Sequence, residues 1–286
     1  MSKIKLQPKI SKQIKNFLTR EEVCKNIVKK YGSPVNVIFP KAVKQNIDNF
    51  KRMYEKYNIS GDIFYAHKAN RSKSIVSTVS KKEIGLDIAS ISELKNANEE
   101  GFNKDKIEAT GPKKREFLDK LINKNITINV DNLEELNYIG KTKKDVEILI
   151  RISGFKPKNI KVTKNESRFG INIKRKKEIL ETIQNYNNLS LKGFSFHLST
   201  SNIRKKRIAI SNILDLHQFF SKNGIITDTI NIGGGFSVNY LKNRKDWDKY
   251  LNLLKQNVKE DNNLTWKNEN YGFYLDKDTV KGSAQF

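Results

Sequence analysis

One cysteine, Cys24, stands alone among 286 residues. A lone thiol excludes an internal disulfide framework and favours a reducing compartment, so we expect a cytoplasmic protein. No stretch approaches twenty consecutive apolar residues, which excludes a membrane-spanning helix and a membrane partner. The basic N-terminal segment, residues 1–15, has neither the apolar core nor the small-residue cleavage site of a signal peptide.

Acidic residues are scarce relative to basic ones, with 31 Asp and Glu against 55 Lys and Arg and a net charge of +24. Such a charge attracts nucleic acids nonspecifically. The basic residues are spread along the whole length, most of them are lysine, and no nucleic-acid recognition motif accompanies them. We interpret the charge as a compositional bias toward lysine on solvated faces and expect no specific nucleic-acid partner. Nucleic-acid binding, which the net charge alone supports, stays an alternative function of the chain.

Short apolar runs rich in β-forming residues recur along the chain. They lie at residues 63–66, 86–89, 106–110, 126–130, 146–152, 191–198, 229–232 and 264–266. Helix starts stand between them, because Ser90 with Glu93 and Asp131 with Glu134 each form a capping-box pattern. Alternating strands and helices predict an α/β fold with a parallel sheet, and eight such units favour a closed (β/α)8 barrel over an open doubly wound sheet.

The barrel is predicted to span residues 34–275, with a further short strand at 35–39. Residues 1–33 precede it as a helical extension, in which Thr19 and Glu22 form a capping box and Gly32 ends a helix. Residues 276–286 are expected to begin a C-terminal region that is cut short.

Chemically unusual residues fall at the ends of the predicted strands, where barrel enzymes place their active sites. Lys68 follows the first strand, and partial desolvation there would favour the neutral amine that attacks aldehydes. Asp87 interrupts the second strand and His197 ends the sixth. The glycine triplet at 233–235 follows the seventh and allows a close approach to an anion. Taken singly, each has a plainer interpretation: a solvated lysine, an outward-facing aspartate, a core histidine and a tight turn.

Six segments, in order, resemble the ornithine/diaminopimelate/arginine decarboxylase family, the alanine-racemase-like barrel class of pyridoxal-phosphate enzymes. They are FYAHKAN (64–70), GLDIAS (85–90) with SEL (92–94), NVDNLEEL (129–136), SRFGI (167–171), FH (196–197) and IGGGF (232–236). The resemblance covers roughly residues 34–240 and implies the barrel of that class. In this context we prefer the functional interpretation of Lys68, His197 and the glycine triplet.

The family implies pyridoxal 5′-phosphate as the cofactor and a role for each matching residue. Lys68 holds the cofactor as a Schiff base, His197 stacks on its ring and Asp87 lies near the Schiff base. The groups expected to hold the phosphate are backbone N–H groups and hydroxyls, those of Gly233, Gly234, Gly235, Ser199 and Thr200. The implied reaction is decarboxylation of an amino acid of the diaminopimelate, ornithine or arginine type, by a homodimer in the full-length form. No metal is implied.

Departures from the family pattern bear on these expectations. The family's Gly-Ser pair is Ser199-Thr200 here. Its Glu-Pro-Gly-Arg segment after the eighth strand reads KNENYG (267–272), so the arginine is missing and Glu269 is the only acidic candidate for the cofactor ring nitrogen. The given sequence continues only a short way past the eighth predicted strand, so we expect the family's C-terminal β-domain to be absent or truncated. We therefore expect a fragment of a decarboxylase. A non-catalytic or regulatory cofactor-binding barrel and an amino-acid racemase are the alternatives.

Overall fold

Eight short strands form one sheet in which every pairing is parallel. The computed structural model describes residues 6–155, 167–198, 203–236, 238–260 and 273–282. The strands are β1 (Phe64–Ala66), β2 (Gly85–Ile88), β3 (Ile107–Ala109), β4 (Thr127–Val130), β5 (Val146–Ser153), β6 (Ile171–Asn172), β7 (Leu189–Ser195) and β8 (Thr229–Asn231). The ladder runs β1-β2-β3-β4-β5-β7-β8, and β6 pairs with β5. Seven predicted runs are therefore strands; the eighth, 264–266, lies outside the described residues.

A contact between β3 and β8 shows that the sheet curls into a barrel. The two strands are four places apart in the ladder, which in a flat sheet would separate them by about 19 Å. Yet Asn231 Nδ2 donates to both carboxylate oxygens of Glu108, at 2.9 and 3.1 Å. Side chains reach each other over such an interval only when the strands bend around a common interior. The described strands form a half-barrel with β1 and β8 at its edges, and this parallel α/β architecture is the class that the sequence predicts.

Ten helices are described, most of them connecting strands of the barrel. They are α1 (Lys12–Leu18), α2 (Glu21–Tyr31), α3 (Pro40–Lys56), α4 (Lys73–Ser80), α5 (Ile91–Glu99), α6 (Arg115–Asn123), α7 (Leu133–Lys141), α8 (Lys176–Gln184), α9 (Ile203–Ser221) and α10 (Arg244–Glu260). Their apolar faces repeat at three- and four-residue spacing, as Phe117 and Leu121 do on α6 and Ile213 and Phe220 on α9. These side chains are buried in a single core cluster with the strand residues. No described helix is long and apolar enough to cross a membrane.

Two compact units divide the chain, residues 39–236 and residues 1–38 together with 237–286. The second unit joins both ends of the chain, since Lys9 N donates to Tyr240 O at 2.7 Å and Lys242 N to Gln7 O at 2.9 Å. It also contains an antiparallel hairpin of β9 (Tyr274–Asp276) and β10 (Thr279–Lys281).

The predicted strand at 35–39 is wrong, because these residues form no strand. The run is bounded by Pro34 and Pro40, and in the described part of the chain no strand pairs with it. Proline has no backbone N–H to donate to a ladder, and Pro40 instead occupies the first turn of α3, where no such donor is needed.

The capping boxes had three different outcomes. The Thr19–Glu22 box is wrong: Thr19 ends α1, where its hydroxyl donates to Lys15 O at 3.2 Å. Ser90 is confirmed as the N-cap of α5, since its Oγ accepts from Glu93 N at 3.3 Å. The box assigned to Asp131 is displaced by one residue, because Asn132 caps α7. Gly32 ends α2 as predicted.

Candidate active site

Lys68 stands immediately beyond the C-terminal end of β1. The strand stops at Ala66 and continues into a 3₁₀ turn, His67–Ala69. Lys68 is exposed at this end of the barrel, so the expected partial desolvation is wrong. The reason is local: the turn carries the lysine past the last paired residue of the strand, beyond the packed interior. An exposed amine in this position is accessible to a ligand that enters the barrel mouth.

Asp87 lies beside Lys68 on the neighbouring strand. Its Cα is paired in register with that of Ala66, two residues before Lys68. Burial raises the pKa of the Asp87 carboxyl to about 6, although the Thr110 hydroxyl, which donates to it at 2.7 Å, and the charge of Lys68 both act in the opposite direction. At neutral pH the carboxylate form therefore predominates and attracts the Lys68 ammonium.

Glu108 is the next carboxyl in the same layer, paired in register with Asp87. Only 4% of its surface is exposed. Burial and the charge of Asp87 raise the pKa of Glu108 to about 7, against the two amides that donate to it, Asn129 Nδ2 at 2.9 Å and Asn231 Nδ2. Two neighbouring acids with raised pKa values inside a barrel mouth are typical of a functional site.

The Glu108 network consists of Glu108, Asn129, Ser195 and Asn231, one residue from each of four strands. Ser195 Oγ donates to Asn129 Oδ1 at 2.7 Å, while both asparagines donate to the glutamate. Asn231 Oδ1 in turn accepts from the backbone N–H of Gly233 at 2.9 Å. The network thereby ties the first glycine of the triplet to the barrel interior.

His197 lies beyond β7, with its ring exposed at the same mouth. Partial burial lowers the pKa of its imidazole, and the cations of Lys68, Arg151 and Lys206 lower it further. The ring is therefore predominantly neutral at pH 7. It is close to the glycine turn, since a Cβ on Gly233 would be 3.3 Å from His197 Nδ1.

The glycine triplet forms a cradle that suits an anion. Gly233 has a φ of +63° and Gly235 of +74°, and a Cβ on Gly233 would be only 2.5 Å from Phe196 O, so a larger residue would not fit. A Cβ on Gly234 would meet open space. Within the described residues, the N–H groups of Gly234 and Gly235 have no hydrogen-bond acceptor. Two free, exposed N–H groups at a turn can bind a phosphate.

Buried acids on α5 and α7 hold the loops behind the site. Glu93 accepts from Ala89 N at 2.7 Å and pairs with Arg71 Nε at 3.3 Å. Glu135 accepts from Lys113 N at 2.6 Å and from Asp131 N at 3.0 Å. Each carboxylate thus fixes the backbone just after a strand, which is where the site residues are displayed.

The predicted site residues that the structure describes lie together. Lys68, Asp87, His197 and the glycine triplet share the C-terminal end of the barrel, and the charge of Lys68 acts on both Asp87 and His197. An amine, a neutral aromatic ring and an anion cradle fit an aldehyde cofactor that carries a phosphate. Ser199, Thr200 and Glu269 lie outside the described residues, so their roles stay predictions.

Five further residues at this end of the barrel were not predicted. Asn129 and Asn231 bind Glu108, Arg151 Nη1 pairs with Asp131 at 2.9 Å, and Lys206 reaches the glycine turn. The argument that singled out Asp87, a polar residue interrupting an apolar run, applies equally to Glu108, Asn129, Arg151 and Asn231. No comparable signal marks Lys206, which lies among other basic residues of a helix. The five residues that were not predicted are therefore Glu108, Asn129, Arg151, Lys206 and Asn231.

Comparison with known families agrees with this geometry. Residues 41–269 match the family model described as pyridoxal-dependent decarboxylase, pyridoxal binding domain. The chain belongs to the pyridoxal-dependent decarboxylase family. Pyridoxal phosphate, the cofactor that the sequence predicts, is the cofactor of this family, and the matched region contains every predicted site residue.

Relatives with similar sequences are longer than this chain. An uncharacterized protein y4yA of Sinorhizobium fredii is 30% identical over 217 residues, which are 74% of this chain and 46% of that protein. Diaminopimelate decarboxylase of Staphylococcus aureus is 26% identical over 227 residues, 76% of this chain and 54% of that enzyme. The chain spans about half the length of these curated relatives.

A solved decarboxylase structure has the same barrel. The lysine/ornithine decarboxylase of Vibrio vulnificus, complexed with putrescine, is 25% identical, with a TM-score of 0.64 over 77% of this chain and 59% of that one. The alanine-racemase-like barrel predicted from the six sequence segments is therefore confirmed.

Proposed function

We propose that this chain holds the cofactor of a pyridoxal-phosphate-dependent amino-acid decarboxylase. One observation supports the proposal: Lys68, His197 and the glycine cradle lie close together at one end of the barrel, within a domain of the decarboxylase family. When bound, the cofactor supplies an electron sink for the charge that remains after an amino acid loses its α-carboxylate.

The residues of the chain have distinct tasks in this proposal. The Lys68 amine would hold the cofactor through its aldehyde, with release of water, and the adjacent Asp87 carboxylate would attract a proton to that nitrogen. His197 would pack against the cofactor ring, and the lowered pKa of its imidazole would keep the side chain uncharged for this contact. The N–H groups of Gly234 and Gly235 bind the phosphate.

Three further residues of the proposed cofactor site, Ser199, Thr200 and Glu269, lie outside the described residues. We assign the hydroxyls of Ser199 and Thr200 to the phosphate, because these residues lie between His197 and α9 in the sequence. Glu269 is assigned to the ring nitrogen, where a carboxylate would hold the proton that strengthens the electron sink.

The substrate and assembly belong to the same proposal. Relatives include a diaminopimelate decarboxylase and an L-glutamyl-[BtrI acyl-carrier protein] decarboxylase, so an amino acid or an aminoacyl group is the substrate class. We propose a homodimer in the full-length form, located in the cytoplasm, which agrees with the single free Cys24.

An absorbance titration tests the proposal. Purified chain is mixed with pyridoxal phosphate, and its spectrum is compared with that of Lys68→Ala. We expect the wild type to show a near-visible band that borohydride abolishes, and the variant to lack that band. Identical spectra would refute covalent binding at Lys68.

Turnover is measured separately, as carbon dioxide released from diaminopimelate, ornithine, arginine and lysine. Release from one of them supports the decarboxylase. A covalent band without carbon dioxide from any of them would favour a non-catalytic cofactor-binding barrel, and loss of substrate chirality without carbon dioxide would favour a racemase.

A further inference from the structure

Asp87 and Glu108 form a pair of carboxyls on neighbouring strands. They are paired in register on β2 and β3, so both side chains leave the same face of the sheet, with backbones about 4.8 Å apart. Glu108 is buried and Asp87 is partly buried. Within the described residues no lysine or arginine forms an ion pair with either carboxyl. Two neighbouring carboxyls without a bound cation reduce their repulsion by retaining a proton.

The amides around Glu108 are fixed in orientation by other partners. Asn129 Oδ1 accepts from Ser195 Oγ at 2.7 Å, and Asn231 Oδ1 accepts from Gly233 N at 2.9 Å. Each Nδ2 is therefore turned toward Glu108, and both donate to its Oε1 at 2.9 Å. Oε2 receives only the longer bond from Asn231 Nδ2, at 3.1 Å. Glu108 is thus held in place, and Oε2 is the oxygen with room for a proton.

The charges around the pair make the two carboxyls lose their protons in sequence. Burial raises the pKa of Asp87 to about 6; the charge of Glu93 acts in the same direction, and the cations of Lys68 and Lys113 oppose it. Burial, followed by the charge of Asp87, raises the pKa of Glu108 to about 7, and Lys113 again opposes it. As the pH rises, Asp87 therefore ionises first and Glu108 second.

Two of the cations at this end of the barrel are already bound to other acids. Lys113 Nζ pairs with Glu135 at 3.2 Å, and Arg151 Nη1 pairs with Asp131 at 2.9 Å. In the described part of the chain no carboxylate forms an ion pair with Lys68, whose charge acts on Asp87. The nitrogen of Lys68 is therefore the cationic group on which the charge of the pair acts most directly.

We propose that Glu108 holds the last proton of the Asp87–Glu108 pair and so sets how much negative charge acts on the nitrogen of Lys68. The pair carries one charge when only Asp87 is ionised and two when Glu108 is ionised as well. Both charges favour a proton on the nitrogen that would hold the cofactor. Glu108 is a positioning residue in this scheme, acting by charge from two strands away. The inference rests on the proposed function.

The test follows the near-visible band of the cofactor-loaded protein as a function of pH, because the nitrogen absorbs differently with and without its proton. Glu108→Gln keeps the shape and an amide-accepting oxygen but removes the charge. We expect it to lower the pH midpoint of the band by about 0.5 to 1 pH unit, the effect of one charge about 10 Å away. Glu108→Asp, which keeps the charge, should retain most of the wild-type midpoint.

Glu134→Gln is the matched control, since it removes the same charge from an exposed position on α7 and should leave the midpoint unchanged. A loss of packing alone would change the intensity of the band without moving its midpoint. An unchanged midpoint in Glu108→Gln would therefore overturn the inference and leave the proposed function intact. Absence of a borohydride-sensitive band in the wild type would overturn the proposed function instead.

A second measurement needs neither the cofactor nor a folded Glu108 variant. Carboxyl-carbon NMR of the cofactor-free wild type is recorded over a pH series, and Asp87→Asn identifies one resonance of the pair. We expect two carboxyls to titrate in sequence, near pH 6 and near pH 7. If every carboxyl titrates below about pH 5, the range of ordinary acids, the pair retains no proton and the inference is wrong.

Discussion

Glu108 places a carboxyl inside the barrel, in a network with polar side chains of three other strands, Asn129, Ser195 and Asn231. Its oxygens face two asparagine amides, and its register neighbour Asp87 is a second acid. Such a group is tolerated because hydrogen bonds satisfy it, and because protonation removes its charge when burial is too unfavourable. Glu108 should therefore make the stability of the protein depend on pH.

The first prediction concerns this pH dependence. Burial raises the pKa of Glu108 in the folded protein to about 7, from the ordinary value of 4.5. At a pH between these two values Glu108 is therefore mostly protonated in the folded protein and mostly ionised in the unfolded chain. The free energy of unfolding should fall as the pH rises from about 4.5 to about 7, by about 3 kcal/mol from this residue. Chemical denaturation at a series of pH values measures the fall.

Glu108→Gln should reduce that fall by half or more, while Asp87, whose pKa is raised in the same direction, preserves the remainder. Glu134→Gln is the control, because Glu134 is exposed at the start of α7. Parallel pH profiles for wild type and Glu108→Gln would contradict the assignment.

At the scale of single elements, Gly193 on β7 shows a constraint that local sequence does not reveal. It is paired in register with Thr229 on β8, and a Cβ at Gly193 would be 1.9 Å from Thr229 O. The two strands can approach this closely only if one residue has no side chain. Because β7 and β8 carry His197 and the glycine triplet beyond their ends, this approach also sets the spacing of the site.

Gly193→Ala should therefore destabilise the protein by about 3 kcal/mol, since neither backbone can move without breaking the ladder. Urea unfolding measures the change. Gly61→Ala is the control: its φ is not left-handed, its Cβ would be an ordinary 3.6 Å from the Tyr54 ring, and it should change stability by less than about 1 kcal/mol. Equal stability of the two variants would show that β7 and β8 separate easily.

The barrel strands were predictable from sequence because their apolar runs are local and recur with helices between them. The same pattern gave a wrong prediction at 35–39, where the composition is typical of a strand but none of the described strands pairs with the run. Capping patterns were ambiguous by one residue at Asp131 and Asn132, because both side chains can accept from a helix N–H. Only the paired backbone decides between such alternatives.

At the scale of the whole molecule, the candidate site was only partly predictable. Lys68 and His197 follow strand ends and Asp87 interrupts a strand, and the resemblance to the decarboxylase family then favoured a functional interpretation over the plainer ones. The bond between Glu108 and Asn231 joins residues 123 positions apart in the chain, and Lys206 arrives from a helix. Neither contact leaves a local pattern, so each required the folded arrangement.

The central claim is that one lysine among many holds the cofactor. The chain has 55 lysines and arginines, and most lysines in the described part of it lie exposed, so nonspecific reaction with an aldehyde is the natural competing outcome. Selectivity for Lys68 has to come from its surroundings, namely Asp87 beside it and the phosphate cradle across the mouth.

Mapping of the modified lysine tests this claim most directly. The chain is incubated with equimolar pyridoxal phosphate and reduced with borohydride, and its proteolytic peptides are analysed by mass spectrometry. We expect the added mass on the peptide that contains Lys68. Label spread over the exposed lysines, or concentrated on a different one, would contradict it.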